Sequence, residues 1–136
     1  MKLTKTQIEQ ALKVLEKVLL LREDVVFAYL YGSTLSFLEG KQVILPRDID
    51  VAIYIRNADI LKTETELQLA FYQKTGLLPE ILDIRSFNQA PLSARIEILT
   101  KGELIFCQDE LFHAEYVEET SNLYRELSGL IEAAYA

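Results

Sequence analysis

The sequence predicts an α/β domain of the α+β kind, with helices packed on a small mixed β-sheet. Three observations predict it. Apolar stripes at helical spacing alternate with short β-branched and aromatic runs, so helices and strands alternate along the chain. Gly32, Gly40, Pro46, Gly76 and Gly102 fall between those segments as breaks. Half of the residues are hydrophobic and 26% are charged, the balance of a chain that buries a core. The whole length, 1–136, is expected to form a single domain. A chain of that size buries roughly two thirds of its unfolded surface.

The elements follow in order. Thr6-x-x-Glu9 has capping-box spacing and precedes a stripe of Ile8, Leu12, Leu15 and Leu19. This predicts a helix from Lys5 to Leu21. Val25 to Tyr31, "VVFAYLY", is β-branched and aromatic and reads as a strand. Gly32-Ser33 breaks it, with a short helix from Thr34 and a loop from Glu39 to Arg47. Asp48 to Ile55 is the second strand. Alternation sends Ile49, Val51, Ile53 and Ile55 to one face and Asp48, Asp50, Ala52 and Tyr54 to the other.

Thr63-x-x-Glu66 marks the start of the next helix, and Gly76 its end. Glu80 to Phe87 is a third strand. Asn88 is expected to cap a helix through "APLSARIEILTK", closed by Gly102. "ELIFC" reads as a short edge strand. From Glu110 the chain is helical, with a stripe of Val117, Leu123, Leu127, Leu130 and Ala134.

Composition excludes several classes. A net charge of −7 argues against direct, sequence-independent nucleic-acid binding, which needs a basic face. No apolar run approaches the ~20 residues of a membrane span, and the first ten residues lack a secretion signal's apolar stretch. The lone Cys107 forms no internal disulfide and belongs to no zinc-ligand pattern. A cytoplasmic protein is the expectation.

One constellation carries chemistry. Asp48 and Asp50 stand two apart on a strand, ~6.6 Å between Cα atoms and on one face. Ionised carboxylates held that close repel unless a cation lies between them. Mg²⁺ suits the place, because it takes hard oxygen ligands and fills its remaining positions with water and phosphate. Asp83, polar inside the strand "ILDI", is the candidate third carboxylate of a two-metal platform. Gly32 lets backbone approach a ligand closely. The N–H groups that follow it, with the Ser33 hydroxyl, are placed to hold phosphate.

Gly-Ser after the first strand, D-x-D opening the second, a later strand aspartate and the tail "LDIRSFNQAPLSARIEILTKGELIFCQDE" together resemble the minimal nucleotidyltransferases of the DNA polymerase beta-type superfamily. The likeness spans Val25 to Glu110. It implies a polymerase beta-like nucleotidyltransferase fold, ATP as substrate, two Mg²⁺ ions, and transfer of a nucleoside monophosphate with release of pyrophosphate. By the same resemblance Gly32 and Ser33 hold the triphosphate, Asp48 and Asp50 bind both metals, and Asp83 binds the catalytic metal and helps deprotonate the acceptor. Members of this subgroup often act as antitoxins beside HEPN-type RNase toxins, and some attach AMP to a toxin tyrosine.

Two departures stand out. The loop from Thr34 to Arg47, fourteen residues, is longer than the family's, and Arg47 stands where a small residue is common. Arg47 and Lys41 are the candidate phosphate contacts there, with plain solvation as the alternative. Three functions remain open: adenylylation of a toxin hydroxyl, neutralisation by binding alone, and transfer to a small hydroxylated molecule. Elsewhere, Asp83 and Arg85 are placed for a surface ion pair, His113 is expected exposed, and Cys107 is expected buried. Tyr116, Tyr124 and Tyr135 are expected to pack.

Overall fold

In a computed structural model of the chain, residues 2–56 and 59–135 are described. The two ends of the expected 1–136 domain and residues 57 and 58 lie outside them. Helix α1 spans Lys5–Leu20. Its capping box is Thr4 with Gln7, not Thr6 with Glu9: the Thr4 hydroxyl accepts from the Gln7 N–H at 3.2 Å, and the Gln7 side chain accepts from the Thr4 N–H at 2.9 Å. The same spacing occurs two residues earlier, and glutamine serves the returning bond as glutamate would.

Strand β1, Val25–Tyr31, runs directly into helix α2, Gly32–Leu38. Gly32 itself opens the helix, two residues before the expected start, because φ of +75° reverses the chain without a loop. Strand β2 is Ile49–Ile55, leaving Asp48 just ahead of it. Helix α3, Ile60–Thr75, is capped by Asp59, whose carboxylate accepts from the Lys62 N–H at 3.1 Å. Thr63 and Glu66, expected to form that cap, lie inside the helix and do other work. The Thr63 hydroxyl donates to Asp24, and Glu66 accepts from Arg22. Gly76, at φ +73°, ends α3 in the left-handed conformation as expected.

A 3-10 turn over Pro79–Ile81 takes the first residues of the expected third strand, so β3 is Leu82–Ser86. Helix α4, Leu92–Lys101, begins after Pro91. Asn88 is not its cap. Its side chain instead bonds both the N–H and the carbonyl of Ile55, at 3.0 and 2.9 Å, and pins the end of β2. Strand β4 is Glu103–Cys107 and helix α5 is Glu110–Tyr135.

The sheet order is β3-β2-β1-β4, with β2 parallel to β3 and the other pairs antiparallel. The mixed sheet is thus as expected, with β4 at an edge. The alternation read in β2 sorts its side chains as predicted. Ile49, Val51, Ile53 and Ile55 join a core with Leu15 and Leu19 of α1 and Leu67 and Phe71 of α3. Ala52 and Tyr54 join a second core with Phe27, Phe87, Ile98 of α4 and Tyr116 of α5.

His113 is half-buried against that second core rather than exposed. Its Nε2 is 2.6 Å from the Tyr29 hydroxyl and its ring meets Phe27 edge-on. Burial holds its pKa below the usual value. Cys107 is half-buried beside the same aromatics. Tyr116 packs as expected, but Tyr124 and Tyr135 are exposed. No helix among the described residues is long and apolar enough to cross a membrane.

Candidate active site

The end of β1 and the starts of β2 and β3 meet at one edge of the sheet. Register places Tyr31 opposite Asp50, and Asp50 opposite Asp83, in a single row across three strands. Directly opposed residues share a sheet face. The row therefore lies on the face that carries Ala52 and Tyr54. Asp48 precedes Asp50 by two residues and joins them. One carboxylate oxygen from each of Asp48, Asp50 and Asp83 lies within 4.8 Å of the others, and all three residues are half-buried.

Gly32 closes this group from the side. A Cβ on it would stand 2.2 Å from Asp50 Oδ2, so the backbone of the turn rests against the carboxylate itself. The positive φ and the missing side chain are both required here. Ser33 follows, half-buried, in the first turn of α2. Thr34 is fully buried, and its hydroxyl donates to the Asp48 carbonyl. That bond ties the start of α2 to the start of β2, and so fixes Gly32 against Asp50.

The electrostatics follow from this crowding. Burial, then the charge of Asp48, then a hydrogen bond and charge from Asp83 push the Asp50 pKa up to about 7. Burial, then Asp50 and Asp83, push the Tyr31 hydroxyl up to about 12. Glu64 of α3 is raised by burial and by Asp83. The protein supplies little compensation. Arg85 Nε is 3.9 Å from Asp83 Oδ2, but the Arg85 side chain is 72% exposed, and an exposed pair of this kind is weak. An all-oxygen donor set with unbalanced negative charge fits a hard divalent cation such as Mg²⁺.

Asp50 and Asp83 line an open cleft of about 1510 Å³ that runs along α4, with Tyr31, Glu64, Pro91, Ile98 and Lys101 in its walls; Asp48 and Ser33 lie outside its lining. It exceeds the ~300–1,000 Å³ of a typical small-molecule pocket. Lys41 also lines the cleft and lies 3.3 Å from Glu39. Arg47 is exposed and is not among the lining residues.

Sequence reasoning missed Tyr31, Thr34 and Glu64. Tyr31 was visible as the last residue of a strand, but only inter-strand register puts it in line with Asp50. Thr34 carried the signal of a polar residue directly after the Gly-Ser turn. Glu64 carried none, since only tertiary packing of α3 against the sheet brings it to the cleft wall.

A family model described as polymerase beta, nucleotidyltransferase matches residues 13–111. No curated protein matches the chain. Solved structures share its fold. A chain from the complex of a tri-AMPylated Shewanella oneidensis HEPN toxin with MNT antitoxin is 15% identical, with TM-score 0.59 over 97% of this chain and 98% of its own. A chain of the MntA–HepT toxin–antitoxin is 15% identical, with TM-score 0.62 over 94% and 99%. A chain of a toxin–antitoxin with AMP-PNP is 17% identical, with TM-score 0.59 over 98% and 100%.

Proposed function

The chain belongs to the polymerase beta nucleotidyltransferase family, and from that premise we propose that it is an antitoxin enzyme. As a single nucleotidyltransferase domain, residues 1–136, it transfers AMP from ATP to a hydroxyl of a cognate HEPN-type RNase toxin in the cytoplasm. A tyrosine is the proposed acceptor. The observation that carries this reading is the convergence of Asp48, Asp50 and Asp83 within 4.8 Å beside the Gly32 turn. The similar solved structures support the partner and the nucleotide, since they include an AMPylated HEPN toxin and an AMP-PNP complex.

In this reading Asp48 and Asp50 would hold two Mg²⁺ ions, and Asp83 would help hold the catalytic one. When bound, Mg²⁺ would supply charge neutralisation for the triphosphate and the leaving pyrophosphate. Gly32 and Ser33 hold triphosphate oxygens, which the bare Gly32 backbone can approach closely. Arg47, which lies outside the cleft wall, would have to reach phosphate through its long side chain. The acceptor oxygen forms a bond to the α-phosphorus while the bond from that phosphorus to the bridging oxygen breaks. Asp83 takes the acceptor's proton. Catalysis is then mainly placement and charge compensation.

The test is AMP transfer from labelled ATP with Mg²⁺, using the product of the adjacent gene as acceptor. Asp48→Ala is expected to reduce transfer to background with an unchanged circular dichroism spectrum. Full transfer by this variant would refute the reading. A second reading, neutralisation by binding alone, is favoured by the exposed apolar outer half of α5. It requires Asp48→Ala to neutralise the partner at full strength.

A further inference from the structure

Helix α5 divides into two halves of different character. From Phe112 to Thr120 it packs on the aromatic face of the sheet through Phe112, Tyr116 and Thr120. From Ser121 to Tyr135 nothing in the described chain covers it. Those fifteen residues extend ~22 Å at 1.5 Å per residue. Leu123, Tyr124, Leu127, Leu130, Ile131 and Tyr135 are 40% to 88% exposed.

The apolar seam does not stop where the domain stops. Val117, Thr120, Tyr124, Leu127, Ile131 and Ala134 follow alternating steps of three and four, the spacing of a helix that packs against another helix. A segment of this length is marginal as an isolated helix. Gly129 within it costs a further ~1 kcal/mol relative to alanine. The seam's stability must come from a surface laid against it.

Charge selects the occupant. Helix α5 carries six glutamates and one arginine, in a chain of net charge −7. Arg125 is engaged within the helix, bonded to Asn122 and Ser121. Glu118, Glu119, Glu126 and Glu132 are exposed on the same helix as the seam. A second copy would set two acidic helices side by side. A helix with an apolar seam flanked by lysine or arginine would find both its surfaces matched.

We propose that the outer half of α5 is the docking surface for the protein acceptor, which lays a basic-flanked amphipathic helix along Tyr124, Leu127 and Ile131. The proposal rests on the reading above that the acceptor is a protein. Docking energy gathered on α5 would hold the acceptor to the enzyme while its hydroxyl samples the open cleft.

The experiment measures binding separately from chemistry. The probe is the adjacent gene's product, titrated against wild type, Asp50→Asn and the double variant Leu127→Glu/Ile131→Glu. Circular dichroism checks each fold, and the single Ile131→Glu carries the same expectation should the double variant unfold. Asp50→Asn is expected to bind as wild type does, while the double variant loses at least ~10-fold in affinity. Raising salt from 50 to 500 mM is expected to weaken wild-type binding several-fold. Equal binding by the double variant overturns the proposal. So does a wild-type dimer, seen by sedimentation, that Leu127→Glu/Ile131→Glu dissolves, or a probe that does not bind at all. Binding lost in the double variant, without AMP transfer by wild type, fails the proposed reaction and upholds the docking surface.

Discussion

The two faces of the sheet are built to different standards. The face under α1 and α3 is aliphatic and closed, and its polar margin is paired. Arg22 bonds both Asp24 and Glu66, and Thr63 bonds Asp24. The face under α4 and α5 is aromatic, with Phe27, Tyr29, Tyr54, Phe87 and Tyr116 in edge, tilted and stacked contacts. Among the described residues, the buried side-chain atoms without a partner, Arg95 Nε and the Tyr116 hydroxyl, both lie on α4 and α5. The cleft and its crowded carboxylates lie on this face too. One face spends its interactions on stability. The other leaves charge and polar capacity free for something outside the fold.

Three perturbations separate the faces, from the largest expected effect to the smallest. Phe71→Ala strikes the closed face at a fully buried position. It is expected to lower stability by ~3–5 kcal/mol, measured by denaturant unfolding, while Mg²⁺ still raises the melting temperature of the folded fraction. An equal loss of the Mg²⁺ response would mean the faces are not separable.

Gly32→Ala strikes the open face. Its Cβ would meet Asp50 Oδ2, so the carboxylate must move. Activity is expected to fall by roughly 100-fold, equivalent to ~2.7 kcal/mol, with a loss of stability of only ~1–2 kcal/mol from the positive φ. Near-normal AMP transfer would show that Asp50 does not need its observed position.

The smallest effect is electrostatic. The Asp50 pKa in the fold, about 7, lies above the ordinary 3.8. The fold therefore favours the protonated form. That contribution is complete below the ordinary value and is lost as pH rises through about 7. In chelator, melting temperature is expected to fall over that window in wild type and to hold steadier in Asp50→Asn. Mg²⁺ is expected to restore wild type alone. A flat wild-type profile would mean the carboxylates do not strain the metal-free protein.

Much of this was legible from residue order. The strand around Asp50 could be read with both of its faces, because side-chain alternation is local and needs no partner. Gly76 at the end of α3 was legible for the same reason, since a left-handed residue is a local demand, whereas Gly102 ends α4 in extended backbone. The helix starts were less so. Thr4, Asp59 and Pro91 precede α1, α3 and α4, where Thr6, Thr63 and Asn88 were equally plausible by spacing. Tertiary partners claimed Thr63 and Asn88 for Asp24 and Ile55. His113 looked exposed on an acidic helix, and the Tyr29 hydroxyl beneath it was invisible from sequence.

Alternation and composition, acting over a few residues, set which elements form and which face of each strand is apolar. They also put Asp50 at the start of one strand, with Asp48 two residues earlier, just ahead of it. Bringing Asp83 into line with them, laying Gly32 against Asp50 and leaving half of α5 uncovered needed the assembled sheet. Strand register and helix docking depend on contacts between segments distant in the chain, and no local pattern encodes which of them will be neighbours.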